Sequence, residues 1–147
     1  MKKIYFDMDG TIANLYAVED WLKKLRAYDP APYAQAEPLV NMSRLARYIH
    51  KAQASGYKVG IISWLSKEST VNYDEAVTAA KLSWLARHLP SVSFDEIKIV
   101  SYGEPKQECV FCAENSILFD DEERNRKNWT GLALDQNQIF NFFKSVL

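Results

Sequence analysis

The chain has 147 residues, 48% of them hydrophobic and 25% charged, with a formal net charge of −1, a composition typical of one globular domain with a substantial core. A charge this close to zero argues against an extended nucleic-acid-binding face. No apolar run approaches the roughly 20 residues of a membrane span, and Asp7 and Asp9 interrupt the first apolar stretch, so we expect neither a membrane helix nor a signal peptide.

The first predicted strand, residues 2–6, runs directly into two carboxylates, Asp7 and Asp9. Because side chains alternate along a strand, the chain must bend after Asp7 for both acids to face one site, and Gly10 permits such a bend. Two acids held together at a strand end can bind a hard divalent cation such as Mg²⁺. They can also divide the roles of nucleophile and proton-transfer group. Taken alone, the pattern fits equally well a strand followed by an acidic turn.

Two helices and a loop are predicted before the second strand. Apolar residues at three- and four-residue spacing predict a helix over about residues 14–26, and two prolines predict a loop over residues 28–33. A second helix is predicted from Pro38 to about residue 54. Gly56 suits the left-handed residue that ends such a helix.

Strands and helices alternate through the rest of the chain. Further strands are predicted at residues 57–62, 97–101, 117–119 and 132–134. Helices are predicted at about residues 74–88 and 105–113, as a turn or short helix at 122–128, and at the C-terminus. The last helix is predicted to begin at a capping pair, Asp135 and Gln138, and to bury Ile139, Phe142, Phe143 and Val146. This alternation predicts an α/β fold, a Rossmann-like doubly wound parallel sheet of about five strands.

Polar residues follow several of these strands. Ser63 comes directly after the second strand, and Lys106 lies a few residues after the third. Asp120 and Asp121 follow the fourth. Because active sites of parallel sheets lie beyond the carboxyl ends of the strands, we expect these side chains to converge on Asp7.

The pattern Asp7-Met8-Asp9-Gly10-Thr11, followed in order by Ser63, Lys106 and Asp120-Asp121, resembles the four motifs of the haloacid dehalogenase (HAD) superfamily of phosphatases and phosphotransferases. The motifs span most of the chain, and motifs supported by their context are far more specific than any single pattern. The resemblance implies a single HAD-like domain over residues 1–147. It also implies that the cap, the segment that covers the site in this superfamily, is at most a small helical insertion at about residues 13–37.

The resemblance implies a role for each of these residues. Asp7 is the nucleophile, which forms an aspartyl-phosphate, and Asp9 protonates the leaving group and then deprotonates water. Mg²⁺ is the implied cofactor, held by Asp7, the backbone carbonyl of Asp9 and the side chain of Asp121. Ser63 and Lys106 are the implied phosphate ligands.

Two more residues are candidates for supporting this site. Either acid of the Asp120-Asp121 pair can be the direct metal ligand. Asp121 is the better candidate, and Asp120 would then fix the Lys106 ammonium or a metal-bound water. Asn125 lies four residues after Asp121. The superfamily often has a second acid near this spacing, and an amide replaces it only in part.

The segment from Lys81 to Asp121 also resembles, more weakly, the 5′(3′)-deoxyribonucleotidase branch of the superfamily. The shared features are a Lys-x-x-Trp helix (Lys81 to Trp84), the later lysine and the Asp-Asp pair. They imply a nucleoside monophosphate as substrate. The chain departs from that branch in its much shorter cap and in Ser63-Trp64-Leu65, where the branch has a Thr-Ser-Pro-like motif. Trp84 lies mid-helix among apolar residues, so we predict that it packs in the core.

The cap segment carries the candidates for stacking a base, namely Tyr16, Trp21, Tyr28 and Tyr33. The favoured function is therefore a Mg²⁺-dependent phosphomonoesterase acting on a small phosphorylated substrate, with a nucleoside monophosphate preferred. A phosphatase for polynucleotide ends or for another phosphometabolite is an alternative. A non-enzymatic phosphate- or protein-binding module is an alternative of another class.

The two cysteines, Cys109 and Cys112, form a C-x-x-C pair. Zinc would need two more ligands, and the two histidines lie far apart in the sequence, so we predict two thiols on one helical face. Reduced thiols predict a cytoplasmic location.

Overall fold

The structure is a computed structural model that describes residues 2–147. Five parallel strands form a central sheet, and two short strands pair separately. The strands are β1 (Lys3–Phe6), β2 (Ala13–Asn14), β3 (Glu37–Pro38), β4 (Lys58–Trp64), β5 (Glu96–Val100), β6 (Ser116–Phe119) and β7 (Leu132–Leu134). The α-helices are α1 (Trp21–Arg26), α2 (Ala31–Gln35), α3 (Met42–Ala54), α4 (Val71–His88), α5 (Glu123–Asn128) and α6 (Ile139–Val146).

β1 lies at the centre of the sheet, whose spatial order is β5–β4–β1–β6–β7. Phe6, the last residue of β1, is in register with Ile61 of β4 on one side and Phe119 of β6 on the other. Because the strands are parallel, their carboxyl ends share one edge of the sheet. β1 and β6 each end there directly before an aspartate. The predicted α/β fold with a five-stranded parallel sheet is confirmed.

Different elements cover the two faces of the sheet. Ile4 and Phe6 lie on the face covered by α3, α4 and α6, where the Phe6 ring stacks on Phe143. Tyr5 lies on the opposite face and packs edge-on against Trp129. All five side chains are at most 5% exposed, so the centre of the sheet is buried on both faces, as is usual for a parallel sheet.

The cap segment, residues 13–37, differs from its predicted elements. Its two ends are joined because β2 pairs antiparallel with β3. The helix predicted over residues 14–26 begins only at Trp21, because Asp20 is left-handed (φ 56°) and separates it from a 3-10 turn at Leu15–Ala17. The predicted loop contains α2, whose prolines lie at its N-terminus, where a helix does not need their missing N–H. Pro38 belongs to β3, so the next helix starts at Met42.

Two other helices differ from the prediction in extent. α4 begins at Val71, three residues early, because the Thr70 side chain caps its N-terminus. Residues 105–113 do not form one helix: a 3-10 turn at Lys106–Glu108 is followed by Cys112 in the left-handed conformation. Although α4 is the longest helix, no helix in the described chain has the length and apolar surface needed to cross a membrane.

The core prediction holds for Trp84, which is fully buried and donates a hydrogen bond to the Ala36 carbonyl. The final helix follows a complete capping box between Asp135 and Gln138, as predicted. Its buried face was predicted less well. Ile139 and Phe143 are buried, Phe142 is half-buried, and Val146 is 42% exposed because it lies in the last turn.

Candidate active site

Sequence-distant segments meet at the carboxyl edge of the sheet around one buried cation. The Lys106 ammonium lies 2.9 Å from Asp7 Oδ1, after β1, and 2.7 Å from Asp120 Oδ2, after β6. All three residues are buried. Although burial alone would lower it, the two carboxylates raise the pKa of Lys106 overall, so this lysine stays charged. Burying these three charges is tolerated only because the ammonium is hydrogen-bonded to both carboxylates.

The turn after β1 fixes the second oxygen of Asp7. Gly10 is left-handed there (φ 83°), and a Cβ atom at this position would collide with the Asp121 carboxylate and the Tyr16 ring. The turn carries Thr11 back towards the strand, where its Oγ1 donates to Asp7 Oδ2 at 2.9 Å and accepts from the Asp121 amide at 3.1 Å. Both oxygens of Asp7 are therefore held in place, and the loops after β1 and β6 are tied together.

Three aspartates form a cluster suited to a divalent cation. Asp7, Asp120 and Asp121 each offer a carboxylate oxygen, and these atoms lie within 4.8 Å of one another. Oxygen ligands of this kind fit a hard cation such as Mg²⁺. Among the described residues, the Asp120 carboxylate accepts three hydrogen bonds, from Lys106, Asn125 and the Glu122 amide, whereas the Asp121 carboxylate accepts one, from Thr11 at 3.4 Å. Asp121 is therefore better placed than Asp120 to bind a metal directly.

The electrostatics of the cluster favour a bound cation. Burial, followed by the charge of Asp7, raises the pKa of Asp120 and of Asp121 above the usual range for a carboxyl group. Ionised carboxylates this close repel one another. A divalent cation among them would remove that repulsion.

Two side chains of α5 support the turn that carries Asp120 and Asp121. Asn125 Nδ2 donates to Asp120 Oδ2 at 3.1 Å. Arg126 donates to the backbone carbonyls of Asp120 and Asp121 at 2.9 and 2.8 Å. Asn125 thus fixes a carboxylate and Arg126 fixes the backbone.

A second buried ion pair holds Asp9. The Lys81 ammonium, from α4, lies 2.9 Å from Asp9 Oδ2. It also donates to Ser63 Oγ at 2.6 Å and to the Trp64 carbonyl at 2.7 Å. Burial raises the pKa of Asp9, and the charge of Lys81 opposes this effect. Ser63 is fully buried beside Lys81, so the structure places it next to Asp9 but not on the wall of the cavity.

A cavity of about 500 Å³ contains Asp7, Asp9, Lys106 and Asp121 in its lining, a volume typical of small-ligand sites. Aromatic side chains make up much of the remaining wall. They come from the cap segment, from the end of β4 and from the turn after β5: Tyr16, Trp21, Tyr28, Tyr33, Trp64 and Tyr102.

The cap aromatics are not equally free to contact a ligand. Tyr16 and Tyr28 are 47% and 52% exposed, and the Trp21 ring packs edge-on against Tyr16 at 4.9 Å. Tyr33 is 5% exposed, its hydroxyl hydrogen-bonds Ser66, and its ring lies 5.0 Å from the Lys81 ammonium. Tyr33 is therefore held by the protein itself more firmly than the other three.

Lys81 is a site residue for which the sequence analysis assigned no role. It occupies the buried stripe of α4 together with Tyr73, Val77 and Trp84. A lysine at a core position of an otherwise apolar helical stripe is a usable signal, because such a cation must be paired inside the protein. Its partners lie on other elements, so helical spacing could not identify them.

Trp64, which directly follows Ser63, was also not predicted to contact a ligand. Its indole N–H donates to the Glu104 carbonyl at 2.8 Å. The Lys106 ammonium and the Arg124 guanidinium lie 5.4 and 5.0 Å from its ring centroid. Trp64 is thus a fixed aromatic side chain beside Lys106, and it comes from β4 and not from the cap segment.

The thiols of Cys109 and Cys112 are both free. Cys109 Sγ lies 3.3 Å from the Pro105 carbonyl and 3.6 Å from Glu104 Oε2. The prediction that the two thiols share one helical face is wrong, because no helix spans residues 105–113.

No protein-family model matches the sequence, and no curated protein matches it. Among solved structures, the chain is similar to a D,D-heptose 1,7-bisphosphate phosphatase from Burkholderia thailandensis, with a TM-score of 0.51 and 16% sequence identity. The alignment covers 86% of this chain and 70% of that one. At this identity the likeness shows a shared fold, which agrees with the fold expected from the resemblance to the HAD superfamily.

Proposed function

We propose that the protein is a Mg²⁺-dependent phosphomonoesterase that acts through an aspartyl-phosphate on Asp7. One observation carries the proposal. The Asp7 carboxylate is clamped by Lys106 inside a cluster of three aspartates, in a cavity that also contains Asp9. A fixed nucleophile, a cation and a nearby proton-transfer group are the parts that phosphoryl transfer requires. The shared fold with a solved phosphatase supports the same reading.

The residues of the chain divide the reaction into two steps. The Asp7 carboxylate attacks phosphorus, and the bond between phosphorus and the leaving oxygen breaks. As it breaks, protonated Asp9 gives its proton to that oxygen. Asp9 then takes a proton from the water that attacks the phosphoryl group, which releases phosphate and restores the Asp7 carboxylate. Lys81 beside Asp9 stabilises the anion that forms in the first step.

The metal would be held by Asp7, Asp121 and the backbone carbonyl of Asp9. When bound, Mg²⁺ supplies Lewis-acid stabilisation and orients a phosphoryl oxygen. Asp120, which accepts three hydrogen bonds within the protein, serves instead to hold Lys106.

Lys106 and Ser63 are proposed as the groups that meet the phosphoryl oxygens. Lys106 lines the cavity and neutralises charge there. Ser63 accepts a hydrogen bond from Lys81, so its own proton is free for donation. Its role as a phosphate ligand rests on its place in the motif, since the side chain is fully buried.

For the substrate we propose a nucleoside monophosphate, with residues 13–37 acting as a minimal cap. Support comes from the aromatic cavity wall, in which the accessible rings of Tyr16, Trp21 and Tyr28 can contact a base. A sugar phosphate is the competing candidate, because the similar solved structure is a heptose bisphosphate phosphatase. A polynucleotide end is a third candidate within the same chemistry.

The test is hydrolysis of a generic aryl phosphate by the wild type and by Asp7→Asn, each with Mg²⁺ and with EDTA. The substitution keeps the shape of the side chain and removes the charge of the nucleophile. We expect activity only in the wild type with Mg²⁺. A wild-type protein that binds phosphate but turns over no phosphomonoester would favour the binding-module alternative.

A further inference from the structure

Lys81 is a buried cation, and each of its three N–H groups has a hydrogen-bond acceptor in the protein. These hydrogen bonds offset the free-energy cost of removing the charge from water. Lys81 is 1% exposed and lies in the third turn of α4, on the helix face that packs against the sheet. An unpaired ammonium at such a position would be strongly destabilising. Its hydrogen bonds to Asp9, Ser63 and the Trp64 carbonyl, at 2.9, 2.6 and 2.7 Å, prevent this.

These contacts leave Lys81 no donor for a substrate. An ammonium has three N–H groups, and each has an acceptor in the protein. Lys81 also does not line the cavity, unlike Lys106. The two lysines therefore differ in what they can contact. Lys106 faces the cavity where phosphate would bind, and Lys81 faces only protein atoms.

The contact with Lys81 makes the two oxygens of Asp9 unequal. Oδ2 accepts the Lys81 hydrogen bond, and within residues 2–147 no hydrogen bond to Oδ1 is found. Asp9 is part of the cavity wall. Oδ1 is therefore the oxygen that is free to exchange a proton with a ligand.

Lys81 is itself fixed on rigid structure. Ser63 and Trp64, which supply two of its acceptors, belong to β4, next to the central strand. The Tyr33 ring, 5.0 Å from the ammonium, covers it from the cap segment. Groups anchored in this way hold a site residue within a narrow range of orientations.

We propose that Lys81 is a positioning residue for proton transfer: by holding Asp9 Oδ2 it aims Oδ1 at the leaving-group oxygen. This inference rests on the proposed function, because it assigns Asp9 the proton-transfer role. The proton moves from Asp9 Oδ1 to the leaving oxygen as the phosphorus–oxygen bond breaks, and Lys81 acts only through its contact with Oδ2.

The experiment compares the turnover of an alkyl phosphate and of a nitrophenyl phosphate by wild type and by Lys81→Met. Methionine keeps about the length of the lysine side chain but has no hydrogen-bond donor. An alkoxide needs a proton to leave, whereas nitrophenolate does not. We expect kcat for the alkyl ester to fall about a hundredfold, in the range of general acid catalysis, and kcat for the aryl ester to fall far less. Inhibition by inorganic phosphate should stay unchanged. Lys51→Met, at an exposed lysine of α3, is the matched control and should behave as wild type.

A double-mutant cycle with Asp9→Asn completes the test. If Lys81 acts through Asp9, Lys81→Met should have little further effect on alkyl phosphate turnover once Asp9 is changed. Lys81→Gln, which retains a neutral donor, is the second variant if circular dichroism shows that Lys81→Met is unfolded. Because the shorter amide of glutamine replaces the ammonium only in part, it should show a smaller loss in the same direction, again confined to the alkyl ester.

Equal losses on both esters, unchanged rates on both, or additive effects in the cycle would overturn the positioning role. A rise in the inhibition constant of phosphate would instead identify Lys81 as a phosphate ligand and would also overturn it. These results are distinguishable from a failure of the proposed function, which would leave Asp7→Asn active.

Discussion

At the scale of single residues, the roles proposed for Asp9 and Asp7 differ in how the effect of a substitution depends on the leaving group. Asp9→Asn removes the proton donor but leaves the nucleophile and its Lys106 contact in place. We expect a loss of about 10²–10⁴ on an alkyl phosphate, the usual contribution of general acid–base catalysis, and a smaller loss on an activated aryl phosphate. Steady-state rates on a series of leaving groups would measure it. An equal loss across the series would make Asp9 a structural residue only.

Lys106 is the cation that neutralises Asp7 and Asp120, and its removal is predicted to lower the free energy of unfolding. Lys106→Met would leave the buried carboxylates of Asp7 and Asp120 without their cation. Breaking a buried pair by removing one partner costs about 3–5 kcal/mol, measurable by urea denaturation in EDTA. The matched control is Lys127→Met, because its ion pair with Glu123 joins exposed side chains and should change the free energy of unfolding by less than about 1 kcal/mol. Similar effects of the two changes would contradict the account.

The raised pKa of Asp121 predicts how metal binding depends on pH. Because its folded pKa lies above its unfolded value, folding favours the protonated form. In the metal-free protein this contribution to stability is present at low pH and is lost as pH rises through the raised pKa. Mg²⁺ needs the ionised carboxylate.

The gain in Tm on adding Mg²⁺ should therefore grow as the pH rises towards the raised Asp121 pKa of about 8, and level off above it. Differential scanning fluorimetry with Mg²⁺ and with EDTA would measure it. Asp121→Asn should abolish most of the gain. A gain that is largest at low pH would show that Asp121 is not a ligand.

The residues directly after strands could be predicted from the sequence, whereas the contact between Lys81 and Asp9 could not. Asp7 and Asp120 each follow an apolar strand, so the parallel sheet alone places them together. Lys81 reaches Asp9 from the middle of a helix, 72 positions away in the chain. No local pattern encodes that contact.

At the scale of elements, the cap segment shows where local rules are overridden. The spacing of its apolar residues predicts one helix, but pairing of β2 with β3 closes the segment into a compact loop, and Asp20 breaks the helix. Two prolines predict a loop over residues 28–33, but in the structure they lie at the N-terminus of α2. Propensity gives way to tertiary contacts most readily in short elements of this kind.

The cap also carries the substrate prediction. Base stacking on an aromatic side chain contributes about 1–3 kcal/mol, which corresponds to roughly a five- to hundredfold preference. We expect nucleoside monophosphates to be hydrolysed with higher kcat/KM than simple sugar phosphates, and Trp21→Ala to reduce that preference more than it reduces aryl phosphate turnover. Phe111→Ala, at an aromatic residue that is 77% exposed and outside the cavity, is the control.

Tyr33→Ala is expected to behave differently from Trp21→Ala. Tyr33 covers Lys81 and hydrogen-bonds Ser66, so its loss should lower turnover of nucleotides and sugar phosphates alike, without changing the preference between them. A higher kcat/KM for sugar phosphates or for phosphorylated oligonucleotide ends than for mononucleotides would contradict the nucleotide preference. It would not contradict the proposed phosphatase mechanism.

At the scale of the whole molecule, the sheet was the most predictable feature. Its central strands are short apolar runs bounded by turn residues, and their burial on both faces follows from that composition. The strand order β5–β4–β1–β6–β7 then brings the residues after β1 and β6 side by side. The helix boundaries that differed, such as the start of α4 at Val71, depend on single capping residues.

The central claim is that Asp7 becomes phosphorylated during turnover. The most direct measurement is mass spectrometry of the Asp7-containing peptide after acid quenching of the Mg²⁺-loaded enzyme during hydrolysis of an aryl phosphate. We expect a phosphoryl group on Asp7 in the wild type, more of it in Asp9→Asn, where breakdown is slowed, and none in Asp7→Asn. Steady turnover by wild type with no phosphoryl group on Asp7, or turnover by Asp7→Asn at the wild-type rate, would contradict it.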